Sequence, residues 1–245
     1  MHIGIISDIH ANDVALETVL RAIGPVDHLW CLGDVVGYGP NPNETVTRLQ
    51  QQPVLEICLT GNHDVAALGK IDLADFNPEA RQAALWTREQ LSAETERWLS
   101  ERPEKVVRDA EFTLAHGSPR QPVWEYITST SVARANFGLF STPVCFVGHT
   151  HVPAIYYTDG VGIVRLQSPS DHETLNLRDG RRFIINPGSV GQPRDNDPRA
   201  AYAVLDADQG LLTFHRIPYD IELTQQRMAD VGLPARLILR LNYGW

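Results

Sequence analysis

The chain has 245 residues, with 21 basic against 30 acidic side chains for a formal net charge of −9, and 43% of it is hydrophobic. A chain of this length can bury roughly 70–75% of its unfolded surface around one core, so residues 1–245 are expected to form a single domain. No apolar run approaches the ~20 residues of a membrane helix, and no basic run exceeds Arg181-Arg182, which speaks against broad binding to nucleic acid.

The start, MHIGIISDIH, goes directly into a strand-like run and lacks a signal-peptide pattern. The cytoplasm is therefore the expected compartment. Cys31, Cys58 and Cys145 are odd in number and each lies in an apolar strand pattern, which predicts buried free thiols in a reducing environment.

In chain order, hydrophobic periodicity predicts a strand over 2–7, a helix over 13–23, a strand over 28–32, a helix over 42–52 and a strand over 54–60, a βαβαβ unit. Asn12 is expected to cap the first helix. Asn41, Pro42 and Glu44 form a start signal for the second. Residues 64–103 break the alternation and are expected to be a helical insertion, with Asn77-Pro78 and Ser92 starting its helices. Strands are predicted near 105–108, 111–116, 144–148, 154–158, 162–166, 183–186, 201–206 and 211–216, and helices near 130–140 and 221–231. The polar stretch 167–176 reads as an exposed loop.

Potential ligands cluster where these strands end. Asp8 and His10 follow IGIIS, Asp34 follows HLWCLG, Asn62 and His63 follow VLEICLT, His116 follows FTLA, and His149 and His151 follow VCFVG. The crevice outside the carboxyl ends of parallel strands is where such sheets build sites. On an extended strand, positions i and i+2 share a face, so Asp8/His10 and His149/His151 are each expected to present two donors to one side. The donors are oxygen and imidazole without thiolate, suiting Mn, Fe, Zn, Co or Ni. His63 aside, seven candidates exceed the needs of one ion but fit two divalent transition-metal ions bridged by Asp34. Such a pair holds a hydroxide between its members and clamps a phosphoryl group for in-line displacement. His63 could then act as the acid for the leaving group, with Asp64 fixing its tautomer.

The ordered blocks D-x-H (Asp8, His10), G-D (Gly33, Asp34), G-N-H-D (Gly61 to Asp64), His116 and G-H-T-H (Gly148 to His151) resemble the signature of the calcineurin-like metallophosphoesterases. Within that superfamily the similarity is greatest to the small bacterial branch that includes the YfcE-type phosphodiesterases. The stretches GDVVGYGPNPNE and NPGSVGQPRD extend it. The resemblance implies a mixed α/β (α+β) fold, a four-layer αββα sandwich of two mixed sheets flanked by helices. It also implies one metal on Asp8, His10, Asp34 and His151, a second on Asp34, Asn62, His116 and His149, and His63 as acid or substrate contact. The expected activity is hydrolysis of small phosphomonoesters or phosphodiesters with manganese as the leading cofactor. Dinucleoside polyphosphates or nucleic-acid ends are alternative substrates, and a noncatalytic scaffold on the same fold is the alternative function.

Other residues carry two readings. Tyr38 either packs a turn or joins Asn62 and His63 in contacting substrate. Asn186 and Ser189 lie either in a simple turn or beside the metals, and Arg120 and Arg194 are either solvated or face a phosphate. His2, His28, His172 and His215 match no motif, and Trp86 and Trp98 are read as packing residues.

Overall fold

The computed structural model describes residues 1–74, 76–160 and 162–245; Asp75, within the expected 64–103 insertion, lies outside them. The chain runs β1 (His2–Ile6), α1 (Asp13–Ile23), β2 (His28–Cys31), α2 (Pro42–Gln50), β3 (Leu55–Cys58), α3 (Asn62–Ala67), α4 (Pro78–Gln90) and α5 (Ala93–Ser100). There follow β4 (Lys105–Arg108), β5 (Phe112–Ala115), α6 (Thr130–Phe137), β6 (Val144–Phe146), β7 (Ala154–Thr158), β8 (Val164–Gln167) and β9 (Thr174–Asn176). The last elements are β10 (Arg182–Asn186), β11 (Ala200–Asp206), β12 (Leu211–Ile217), α7 (Ile221–Asp230) and α8 (Ala235–Leu239), the last continued by a 3-10 turn, Arg240–Asn242.

Among the described residues two six-stranded mixed sheets form, in the orders β3-β2-β1-β11-β12-β9 and β4-β5-β6-β10-β7-β8. Their strands alternate between two apolar faces. In the first sheet Ile3, Ile5, Trp30, Leu32 and Ile57 meet Phe112, Leu114, Phe146 and Phe183 of the second, forming the inner core. The intervening Leu29, Cys31 and Cys58 face Leu16, Val19, Val46 and Leu49 of α1 and α2, while Cys145 and Ile184 face Ala133 and Phe137 of α6. Period-2 residues that are apolar on both sides dictate helix, sheet, sheet and helix in sequence, the expected αββα arrangement. All three cysteines are buried free thiols. No described helix is long and apolar enough to cross a membrane.

Asn12, Asn77 and Ser92 cap their helices as expected, each accepting a backbone N–H. Asn41 does not: its side chain makes no cap bond, and Arg227 Nη1 lies 3.5 Å from its Oδ1. Two elements depart from expectation. Residues 174–176 are an edge strand paired with β12 rather than loop, because Leu175 is buried between polar neighbours. The short α8 also went unexpected, its five residues being too few for a clear helical period. Trp86 and Trp98 pack beside apolar clusters, as read.

Candidate metal centre

The strands that carry the candidate ligands stop short of them. β1 ends at Ile6, β2 at Cys31 and β6 at Phe146, so the donors sit in the loops beyond. Asp8, His10, Asp34, His149 and His151 all adopt left-handed backbone, with φ of 53°, 52°, 52°, 68° and 60°. This corrects the expectation of a shared strand face for each i, i+2 pair: reversal of the chain, not the pleat, aims these side chains. Asp and His tolerate this region best among residues with a Cβ, yet each instance costs of order 1 kcal/mol. Such strain persists only where surrounding bonds over-determine it.

The bonds are present. Asp8 N–H donates to Gly33 O (3.0 Å) and His10 N–H to Asp34 O (2.9 Å), zipping the loops after β1 and β2 together. Ser189 Oγ and Gly191 N–H both donate to Asp8 O, and Asn186 Nδ2 donates to Gly148 O at 2.6 Å. The segment 186–192 therefore braces the site from the far side, which resolves its two readings. Gly61 and Gly148 leave no room for a side chain: a Cβ would stand 2.1 Å from Asp34 Oδ1 and 2.0 Å from Ser7 Oγ, respectively.

Two groups of ligand atoms result, each within 4.8 Å across: Asp8, His10, Asp34 and His151, and Asp34, His116 and His149. His149 and His151 thus belong to different groups, and Asp34 belongs to both. Asn62 Oδ1 joins the second, 3.3 Å from His116 Nε2. All seven residues are at most 5% exposed.

Backbone carbonyls set the histidine tautomers. Nδ1–H of His10 donates to Val36 O (3.3 Å), of His116 to Leu32 O (3.0 Å) and of His151 to Gln192 O (2.6 Å), leaving Nε2 of His10 and His151 free of an N–H. In His149 the roles reverse, Nε2–H donating to Trp124 O at 3.1 Å. Such outer bonds orient ligating imidazoles. They also bring the Nε2 atoms of His10 and His151 within 3.0 Å of each other with both N–H groups already committed elsewhere. Two lone pairs face one another there, an arrangement that calls for a cation. Asp34 Oδ2 supports the same conclusion. It is buried without an aligned hydrogen bond, yet lies 3.3 Å from His116 Nε2 and 3.6 Å from His10 Nε2. The donors fit divalent cations.

Electrostatics in the metal-free protein follow the same geometry. Burial pushes His149 down to about 3 and His10 and His151 well below the usual imidazole range, keeping them neutral as ligands must be. Burial opposes charge on His116 too, but the carboxylates of Asp34 and Asp8 outweigh it and raise that ring to about 9. Burial likewise lifts Asp34, and His116 and His63 beside it more than reverse this, holding it ionised.

Asp64 does not serve His63. Its two oxygens accept from Val36 N–H and Gly61 N–H, both at 2.9 Å, so the expected Asp64–His63 contact is corrected: the carboxylate ties the start of α3 to the loop after β2. His63 Nδ1 is buried without a partner. Its ring packs against Tyr38 at 4.2 Å, His10 at 5.0 Å and Phe76 at 5.3 Å, and burial lowers it to about 4. A cleft of about 240 Å³ beside it is lined by Tyr38, Asn62, His63, Phe76, Trp124, Tyr126 and His149 among others, so the structure places the three expected substrate contacts along one opening.

Trp124 and Tyr126 went unnoticed in the sequence. Tyr126 stacks on His149 with centroids 3.6 Å apart, and the two aromatics shortly after His116 are the signal that could have flagged them. Arg120 pairs with Glu125, whose carboxylate also accepts from Ser118 Oγ and Asn136 Nδ2 to brace this loop. Asp171, His172 and His215 also lie together, but Asp171 is committed to Arg199 (2.7 Å) and to Arg216 N–H (2.9 Å).

Comparison with known proteins agrees with this geometry. Residues 1–210 match the model of the calcineurin-like phosphoesterase superfamily domain. The chain is 35% identical over 250 residues to an uncharacterized protein of Methanocaldococcus jannaschii, covering 99% of this chain and 98% of that one. It is similar to the crystal structure of a metallophosphoesterase from Sphaerobacter thermophilus, with 49% identity, TM-score 0.91 and coverage of 100% and 99% of the two chains. A hypothetical protein of Pyrococcus horikoshii shares the fold at 21% identity, with TM-score 0.80 over 100% and 98%. The chain belongs to the calcineurin-like phosphoesterase superfamily.

Proposed function

We propose that this protein hydrolyses phosphate esters of small molecules with two divalent cations, one held by Asp8, His10, Asp34 and His151 and the other by Asp34, Asn62, His116 and His149. The observation that carries the reading is Asp34 Oδ2, a buried carboxylate oxygen 3.3 Å from His116 Nε2 and 3.6 Å from His10 Nε2, on the one residue that belongs to both groups of ligand atoms. When bound, divalent cations supply positive charge for phosphoryl oxygens and make water nucleophilic at neutral pH. Manganese is the first ion to test, and Fe, Zn, Ni and Co suit the same donors.

The remaining work falls to the chain's own side chains. His63 is the proton donor to the leaving oxygen. Its ring is neutral in the empty cleft, and the negative charge of an entering phosphate raises its proton affinity so that it can deliver a proton. Tyr38 and Phe76 pack against that ring and fix its plane. Asn62 lines the cleft with His63, where its amide can orient a phosphate oxygen. Trp124 and Tyr126 give apolar walls to the organic part of the ester.

Protein loaded with Mn is expected to hydrolyse bis-p-nitrophenyl phosphate, and Asp34→Asn to lose both bound metal and turnover. Ordinary turnover in that variant would overturn the proposal.

A further inference from the structure

A second cleft adjoins the first, sharing Tyr38 and Asn77 with it. Its volume is about 540 Å³, within the range of small-molecule sites. Arg194, Arg236 and Arg240 line it, and Glu79 is its one acidic side chain among the described residues. Arg236 and Arg240 are four residues apart along α8 and its 3-10 extension, and so lie on one side of it.

These guanidiniums are poorly matched. Arg194 donates from Nε and Nη2 to the neutral amide oxygen of Gln192. Arg240 Nε donates to the terminal α-carboxylate of Trp245. Arg236 lies 3.7 Å from the Glu79 carboxylate, and Arg194 alone of the three has no carboxylate among these bonds. Three guanidiniums thus share two carboxylates, an excess of positive charge in a chain whose side-chain net charge is −9. Burial, with Arg194 beside it, depresses Arg240 to about 10. The cluster is also close to the catalytic candidates. The Arg194 guanidinium carbon is 5.7 Å from the Tyr38 ring, whose centroid is 4.2 Å from that of His63 and 4.8 Å from that of His10.

Arginine's planar fork suits the paired oxygens of a phosphate. We propose that the Arg194, Arg236 and Arg240 cleft is a subsite for a second phosphate group, so that the substrate carries at least two phosphates rather than one diester. This rests on the phosphoesterase reading for the identity of the first phosphate. The second group either follows the first through an anhydride or stands elsewhere on the same molecule, and the two linkages are separable by experiment.

The test titrates AMP, ADP and adenosine 3′,5′-bisphosphate calorimetrically onto the Mn-loaded full-length protein and onto protein stripped with EDTA. At least one two-phosphate ligand is expected to bind about tenfold more tightly than AMP, roughly 1.4 kcal/mol, in both forms. Preference for ADP assigns the anhydride linkage, and preference for the bisphosphate assigns the other. Arg236→Glu, at a side chain 72% exposed where misfolding is not at issue, should shrink the advantage several-fold, as should Arg240→Gln. Equal binding of all three nucleotides, or an advantage that survives both substitutions, would overturn the subsite. Tight two-phosphate binding by a protein without phosphoesterase turnover would instead uphold the subsite and remove the catalytic reading.

Discussion

Gly61→Ala tests how tightly the candidate centre is built. A Cβ at position 61 would stand 2.1 Å from Asp34 Oδ1 and 2.4 Å from Asp34 N, where ordinary contact begins at 3.4 Å. The carboxylate must therefore retreat by about 1.3 Å, or the start of α3 must move by as much. Metal–ligand distances tolerate only ~0.2 Å, so this displacement is several times what coordination can absorb at the one residue shared by both groups. It also breaks the 2.8 Å bond from His63 N–H to Asp34 Oδ1. Overpacking of this kind costs about 1–3 kcal/mol, which at this chain length lowers Tm by roughly 2–12 °C. Metal content by mass spectrometry after Mn loading and dialysis, with a calorimetric Tm, reads both effects. The variant is expected to fold with a lowered Tm and to retain at most one ion. A variant with the parent's full metal content and Tm would refute the claim that Asp34 is positioned by close contact with Gly61.

Three further outcomes are expected. His63→Ala should keep its metal content while kcat falls by about 10²–10⁴; stoichiometric metal loss would show that His63 is a ligand instead. Adding Mn to the stripped protein should raise Tm, since ligand at 100 times Kd stabilises by ~2.7 kcal/mol, and Asp34→Asn should lose most of that increase; an unchanged Tm in the parent would argue against any specific ion. Glu125 is held down to about 2, chiefly by Arg120. A depressed carboxylate stabilises the fold above its unfolded value near 4.5 and loses that contribution as pH falls through 2. The Tm deficit of Glu125→Gln should therefore be full at pH 7 and vanish by about pH 2, whereas a deficit independent of pH would place the loss in packing rather than charge.

Much of this architecture was legible before any coordinates. Two-sided apolar runs such as HLWCL and VCFV can be satisfied only between two layers, and alternation of these strands with amphipathic helices forced the βαβαβ start. The spacing of Asp8, Asp34, Asn62, His116 and His149 relative to strand ends led to one rim because carboxyl ends of parallel strands lie together. How those residues aim their side chains was not legible. Five left-handed residues reverse the chain past the strand ends, and what sustains them is bonding between loops distant in sequence, such as Ser189 to Asp8. Asp64 illustrates the same limit. Adjacency to His63 suggested a hydrogen bond between them, but helix geometry turns consecutive side chains apart, and the carboxylate meets Val36 and Gly61 instead. The arginines of the second cleft come from 194, 236 and 240, a proximity created only by packing of the short α8, which has no sequence period long enough to announce it.

The most direct measurement is an anomalous-difference map from crystals grown with Mn. Two peaks are expected, one among Asp8, His10, Asp34 and His151 and one among Asp34, Asn62, His116 and His149, with Asp34 in contact with both. A map with no peak in either group, or with ions bound only elsewhere on the protein, would contradict the account.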